Sequence, residues 1–361
     1  MSKKIIHVLG SMDVGGVETW LMNILKNSDA KKFKHEFLVQ KNKKGFYDEK
    51  IDRLGSRVHI CEINNIFSYT IRAYSKIRKL KPDVVHSHVG AFSGLVLFVS
   101  WLAGVECRVS HSHTDLSVTD KKSRLIRKLY INLMKQLIRA FSTDNIAVSE
   151  AAASYLYGKN WKTDLKTQIM YCAIDESKFI NTICDLDYRA QFDIPKDAIV
   201  LGHVGGFRAV KNQAFLIELI LELCIKDGSY YLVLVGDGPL KDIIEKQVSK
   251  SNLNVKFLGN RTDIAEIMTC LFDIFLFPSH YEGLGLAAVE AQFAGLHVIA
   301  SDKVPHEADC GNCVFLSLDK HRWINYIYKT DFQKSPTNLD TSRFSLDKNL
   351  EVLSRIYSKC K

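Results

Sequence analysis

Two carboxylates, Glu282 and Glu290, stand eight positions apart around a Gly283-Leu284-Gly285 corner. Backbone N–H groups left free at a helix start attract an anion, and glycines let a phosphate approach the chain closely. With Glu282 at the tip of a strand, Glu290 falls about two turns into the helix that follows. One acid then meets the reacting end of a ligand while the other holds its far end. On spacing alone, Glu282 reads equally well as an N-terminal helix acid favoured by the dipole, and Glu290 as a solvated surface residue.

The elements that must hold these acids are legible around them. Ile274 to Phe277 is an apolar strand, stopped by Pro278 and a polar turn from Ser279 to Glu282. A helix follows and ends near Gly295, and a second apolar strand runs from His297 to Ala300. This is one βαβ unit with its glycine corner at a strand's carboxyl end. The amino-terminal half alternates in the same way, with strands expected at Ile5–Gly10, Glu36–Val39, Val58–Cys61, Val84–His86, Cys107–Ser110 and Ile146–Val148. Such alternation predicts parallel sheets covered on both faces, with functional loops at the strands' carboxyl ends. At 361 residues the chain suits two domains.

The string PSHYEGLGLAAVEAQFAGLHVIASD resembles the E-x7-E signature of retaining glycosyltransferase family 4, nearest to members that build bacterial capsular or exopolysaccharides. The resemblance runs along nearly the whole chain. It implies the α/β GT-B fold, two Rossmann-like doubly wound domains facing across a cleft. Residues 1–180 would bind acceptor and 181–344 the nucleotide-sugar, with helix 345–361 packing back on the first domain. It gives Glu282 the donor sugar and its diphosphate, Glu290 the ribose hydroxyls, and the amides of Gly283, Leu284, Gly285 and Leu286 the phosphates.

Other positions follow from the same resemblance. His113 in VSHSHTD matches a histidine that lines the donor-sugar pocket, with His111 the second choice. Read by themselves these are loop histidines bonded to backbone, or a metal pair; an i, i+2 pair without a third ligand is a poor zinc site. In IVLGHVGGFRAVKNQ, Lys211 stands at a diphosphate-binding lysine, while Gly206 occupies the position of the family's arginine. Arg208, two residues on, would swing its guanidinium to the same phosphates or remain a surface charge. Gly15 and Gly16 open a loop toward diphosphate or acceptor, flanked by Asp13 and Glu18, and Gly236 lies near the nucleotide. Asn260 and Arg261 would frame the base, the alternative for Arg261 being a cap or surface charge. Glu307 resembles a later family glutamate. Tyr171-Cys172-Ala173 replaces the family's Pro-Asn-Gly. The motif Asp185-Leu186-Asp187 reads as a coincidence in a linker.

Composition sets the remaining bounds. A net charge of +9 favours an anionic partner. Lysines and arginines are not interleaved with aromatics as in single-strand binders, so no nucleic acid is expected. Nine cysteines without zinc spacing, Cys310 and Cys313 being a lone C-x2-C, and no signal peptide lead to an expectation of reduced thiols in the cytoplasm. Residues 121–141 form a basic helical stretch without an acid. Its apolar stripe of Leu125, Ile126, Leu129, Leu133, Met134, Leu137 and Ile138 is expected to pack on the sheet. Its cations would rest on anionic lipid at the inner face of the membrane.

The function expected is therefore a retaining sugar transfer by front-face attack, from a nucleotide-sugar, expected to be UDP-linked, to a glycan or lipid-linked glycan. No metal and no separate cofactor are required. The alternatives are a non-catalytic nucleotide-sugar or glycan-binding module, motivated by Gly206, or another GT-B enzyme such as an epimerase or phosphorylase. Sugar, acceptor, linkage and oligomeric state are left open by the residues.

Overall fold

The computed structural model describes residues 2–117, 120, 123–180, 182–251, 253–330 and 339–359. Lys121 and Lys122, at the start of the expected basic stretch, and Cys360 and Lys361, within the expected segment 345–361, lie outside them. The chain divides into two compact units, Met1–Ile174 with Arg343–Lys361, and Asp175–Ser342.

Unit 1 holds seven parallel strands: β1 (Lys3–Leu9), β2 (Phe33–Val39), β3 (Val58–Ile60), β4 (Val84–Ser87), β5 (Cys107–Ser112), β6 (Asp144–Ala147) and β7 (Thr167–Ile169). Their order is β3-β2-β1-β4-β5-β6-β7. Unit 2 holds six: β8 (Ile199–Val204), β9 (Tyr230–Val235), β10 (Val255–Gly259), β11 (Ile274–Phe277), β12 (His297–Ser301) and β13 (Cys313–Leu316), ordered β10-β9-β8-β11-β12-β13. Both orders reverse once, beside β1 in one sheet and beside β8 in the other. In open parallel sheets that reversal opens a crevice at the strands' carboxyl ends.

The strands read as near-continuous apolar runs because helices cover both faces. Ile274, Phe275, Leu276 and Phe277 of β11 are all fully buried. The sequence-based reading of β11 and β12 holds, the latter extending one residue to Ser301. β7 was absent from that reading, since three half-buried residues at a sheet edge carry no periodic signal.

The helix Leu346–Ser358 completes unit 1. Asn349 on it accepts from Trp20 Nε1 at 2.8 Å and from the Ala173 amide at 3.1 Å, and donates to the Tyr171 carbonyl at 2.9 Å. A buried amide satisfied on both sides fixes that helix in one register.

Two expectations fail. Cys184 and Cys270 form a disulfide, their Cα atoms 5.6 Å apart across 86 residues, so the thiols are not all reduced. Folding of unit 2 makes neighbours of two cysteines whose spacing says nothing. The stripe on the helix Leu125–Phe141 is also only partly used. Ile131, Met134 and Ile138 are buried, Met134 in one cluster with Leu95, Val96 and Val99 of the helix Ser93–Leu102. Leu125, Ile126, Leu129 and Leu133 stand 71%, 82%, 62% and 56% exposed. The neighbouring helix covers one edge of the stripe, and among the described residues the other edge is left exposed.

Candidate active site

In unit 2 the loops after β8 and β11 emerge side by side at the strand-order reversal. They are laced together by the His280 amide donating to the Val210 carbonyl at 2.8 Å and by Asn212 Nδ2 donating to the Pro278 carbonyl at 3.3 Å. This joins two segments about seventy residues apart, and at their meeting point Lys211 Nζ donates to Glu282 Oε1 at 2.6 Å. The ammonium also lies 5.0 Å from the centroid of the Phe277 ring. Both side chains are mostly buried, so the pair is held by its surroundings and exchanges little with solvent.

The glycine corner follows. Gly285 adopts φ +95°, and a β-carbon there would stand 3.0 Å from the Phe277 ring and 3.2 Å from Val304. Only glycine meets both demands. The helix begins at Leu286 and runs to Phe293, so Glu282 belongs to the loop before it and Glu290 lies little more than one turn inside. That corrects the two-turn estimate: the corner keeps the chain irregular through Gly283, Leu284 and Gly285. Buried Gln292 anchors the helix, donating to the Ala288 and Ala308 carbonyls and accepting from the Cys310 and Asn312 amides. Glu290 is half-buried, and burial pushes its carboxyl up to about 7, the Lys178 charge pulling weakly the other way. The carboxyl accepts no hydrogen bond from the described residues, which leaves it ready for hydroxyl donors. Glu307 sits beyond β12 in the short turn His306–Ala308.

Gly206, at the position of the family's arginine, has Arg208 beside it. The space a side chain at 206 would enter is open except for the Asp237 carbonyl at 3.5 Å and Arg208 Nε at 3.9 Å. The exposed Arg208 thus folds its guanidinium back over the Gly206 α-carbon, while Phe207 between them is fully buried as a pivot. Gly236, expected near the nucleotide, serves the packing of this loop. It has φ +133°, and a β-carbon would collide with the Gly205 carbonyl. We predict that Gly236→Ala lowers unfolding free energy by about 2–4 kcal/mol, from strain plus clash, measured by urea denaturation.

Arg261 is engaged elsewhere. Its Nε and Nη2 donate to the two Asp263 oxygens at 2.8 and 2.5 Å, and Tyr188 donates to the same carboxylate at 3.0 Å. A bidentate pair leaves little of the fork for a base; Asn260, next to it, is exposed. Asp187 accepts from the Ala190 amide as cap of a four-residue helix, which accounts for half of the Asp185–Asp187 motif. Sequence reading missed His203 and Gln213. The fully buried His203 bonds the Leu276 carbonyl at 2.9 Å, and burial lowers it to about 4.

In unit 1, Gly15 caps the helix Gly16–Asn27, and the Glu18 carboxylate folds back against it, covering amides an anion would need. Asp13 accepts from Ser11 Oγ at 2.8 Å. His111 is fully buried, both its ring nitrogens without a partner among the described residues, whereas His113 is half-buried just beyond β5. His113 ends a string that sequence reading missed: Ser28 Oγ to His35 Nε2 at 2.8 Å, His35 Nδ1 to His7 Nε2 at 2.9 Å, His7 Nδ1 to His88 Nε2 at 3.0 Å, and His88 Nδ1 to His113 Nε2 at 2.9 Å. Burial holds His113 near 3 and His35 near 4, and His7, His86, His88 and His111 well below the usual imidazole range. The signal lay in histidines near the carboxyl ends of IIHVLG, VVHSHVG and VSHSHTD.

Two family models match this sequence, "Glycosyltransferase Family 4" over residues 14–178 and "Glycosyl transferases group 1" over residues 185–310. The chain is 34% identical to EpsF of Bacillus subtilis (strain 168), over 86% of its own length and 82% of that protein's. It is 26% identical to the capsular polysaccharide biosynthesis glycosyltransferase CapH of Staphylococcus aureus, over 98% of both. Among solved structures, Anabaena Alr3699/HepE, crystallised with UDP and glucose, superposes with a TM-score of 0.79 over 99% of each chain at 19% identity. The fold is GT-B, and the chain belongs to glycosyltransferase family 4.

Proposed function

We propose that this glycosyltransferase moves a sugar, with retention, from a UDP-linked donor bound on unit 2 to a glycan or lipid-linked glycan in surface-polysaccharide assembly. The observation that carries the reading is the Lys211–Glu282 pair beside the Gly283–Gly285 corner, at the strand-order reversal of unit 2. The name of CapH supports the product class, and the UDP held by HepE supports the donor. Lys211 and Arg208 neutralise the leaving diphosphate with the Gly283, Leu284, Gly285 and Leu286 amides. Glu282 is released from Lys211 to orient sugar hydroxyls, and Glu290 receives the ribose. The acceptor is assigned to unit 1, at the loop ends carrying Gly15 and Gly16, and His113 keeps its expected role toward the donor sugar. No metal is assigned to the diphosphate.

Thermal shifts across a panel of nucleotide-sugars test the donor, since a true donor raises the melting temperature by mass action. UDP-sugars are expected to do so and GDP-sugars not; a flat response to every UDP-sugar removes the assignment. Release of free UDP only when a glycan acceptor is present separates transfer from epimerisation.

The exposed apolar edge of helix Leu125–Phe141 adds a location. Leu125, Ile126, Leu129 and Leu133 face outward on a helix whose only charged residues are cations. Such a surface suits the interface of an anionic leaflet, where each cation contributes ~1 kcal/mol. No helix among the described residues is long and apolar enough to cross a membrane. Co-sedimentation with phosphatidylglycerol vesicles is expected to weaken with salt, and Ile126→Glu with Leu129→Glu to abolish it without lowering the melting temperature. Equal recovery on neutral vesicles would remove the idea.

A further inference from the structure

The histidines of unit 1 are more numerous than the proposed transfer chemistry uses. Three of them, His7 on β1, His86 on β4 and His88 just beyond β4, each bring a ring nitrogen within 4.8 Å of the other two. All three rings are buried. Each has its second nitrogen tied to an outer partner. His86 Nδ1 bonds Tyr357 Oη at 2.7 Å, His7 Nε2 bonds His35 Nδ1 at 2.9 Å, and His88 Nδ1 bonds His113 Nε2 at 2.9 Å. The nitrogens left over are His7 Nδ1, His88 Nε2 and His86 Nε2. The first two share one proton at 3.0 Å, and the third is buried with no partner among the described residues.

An imidazole whose far nitrogen is held by a hydroxyl or a second ring, while its near nitrogen converges with two others, has the arrangement of a metal-binding histidine. A buried polar nitrogen without a partner is costly, and native structures rarely leave one unexplained. We propose that His7, His86 and His88 form a binding site for one zinc-class divalent cation. The cation takes the place of the proton shared by His7 and His88 and satisfies the orphaned His86 nitrogen. Three imidazoles are a ligand set that suits zinc and its neighbours and that magnesium or calcium would not select. The pairing of β1 with β4, which sets His7 opposite His86, is the reason the ligands meet. The site lies wholly in unit 1.

Cobalt(II) chloride titrated into the chelator-treated full chain tests this. The expected result is one equivalent retained through desalting, a visible d–d absorption of a low-coordinate complex, and a raised melting temperature. His86→Phe is expected to lose all three, while His321→Ala, which removes an exposed imidazole of unit 2, keeps them. Tyr357→Phe preserves the ring and deletes only the outer hydroxyl, and is expected to weaken cobalt binding by about 10–100-fold. No retained cobalt in the parent chain overturns the proposal, as does retention undiminished in His86→Phe. Should His86→Phe fail to fold, unchanged cobalt affinity in a folded Tyr357→Phe overturns it equally.

Discussion

Lys211→Ala should lower kcat by about two to three orders of magnitude, with KM for the donor rising less. A charge-assisted donor aimed at a developing phosphate charge in a dry site contributes about 3–4 kcal/mol to the transition state. Lys211 is placed for that work because its ammonium is held against Glu282 and the face of Phe277. The substitution also strands Glu282, a mostly buried acid, so part of the loss would come from a displaced loop. Lys211→Ala with Glu282→Gln separates the two contributions. If the double variant recovers the parent melting temperature but not kcat, the ammonium acts on the diphosphate. If kcat returns as well, Lys211 only holds Glu282 in place. Initial rates of UDP release with acceptor present give the measurement.

Glu290→Gln is expected to change two quantities in opposite directions. Donor affinity should fall by about 10–100-fold, the worth of charge-assisted hydrogen bonds from two ribose hydroxyls. Stability should rise at alkaline pH. The folded carboxyl holds its proton until about pH 7, whereas the unfolded one ionises near 4.5. The folded state therefore binds the extra proton between those values, and stability is lost as pH climbs through the window, by about 3 kcal/mol in total. A neutral amide of the same shape removes that loss. Melting temperatures of parent and variant should agree at pH 4.5 and part by several degrees at pH 8. Binding of donor hydroxyls to the carboxylate also favours ionisation, so the parent should release a proton on binding near pH 6. Calorimetry in buffers of different ionisation enthalpy reads this directly, and a proton-neutral parent would remove Glu290 from the ribose.

Much of this was legible because β11, the glycine corner and β12 are contiguous, and their apolar runs and breaks are local facts. Lys211 could be placed because it stands at the position of the family's diphosphate-binding lysine. What sequence could not show were partnerships across long spans. Arg261 looked available until Asp263 and Tyr188 were seen around it. Arg208 Nε lies 3.9 Å from where a side chain at Gly206 would begin, with Phe207 buried between them. The outer half of the 125–141 stripe was taken for core, since periodicity tells which residues share a face and says nothing about what covers it. The histidine string was dispersed over more than a hundred positions, each member resembling an ordinary polar residue near a strand end.

Because the helix Leu346–Ser358 belongs to unit 1, that unit is written in two instalments with the whole of unit 2 between them. On the ribosome, unit 2 is contiguous and can collapse as soon as it emerges. Unit 1 must wait with Trp20 unmatched and Tyr357 not yet synthesised. The earlier-born half is thus the later to mature, and a nascent chain stalled before residue 343 would leave a complete sheet without the helix that covers Trp20 and His86, open to chaperones.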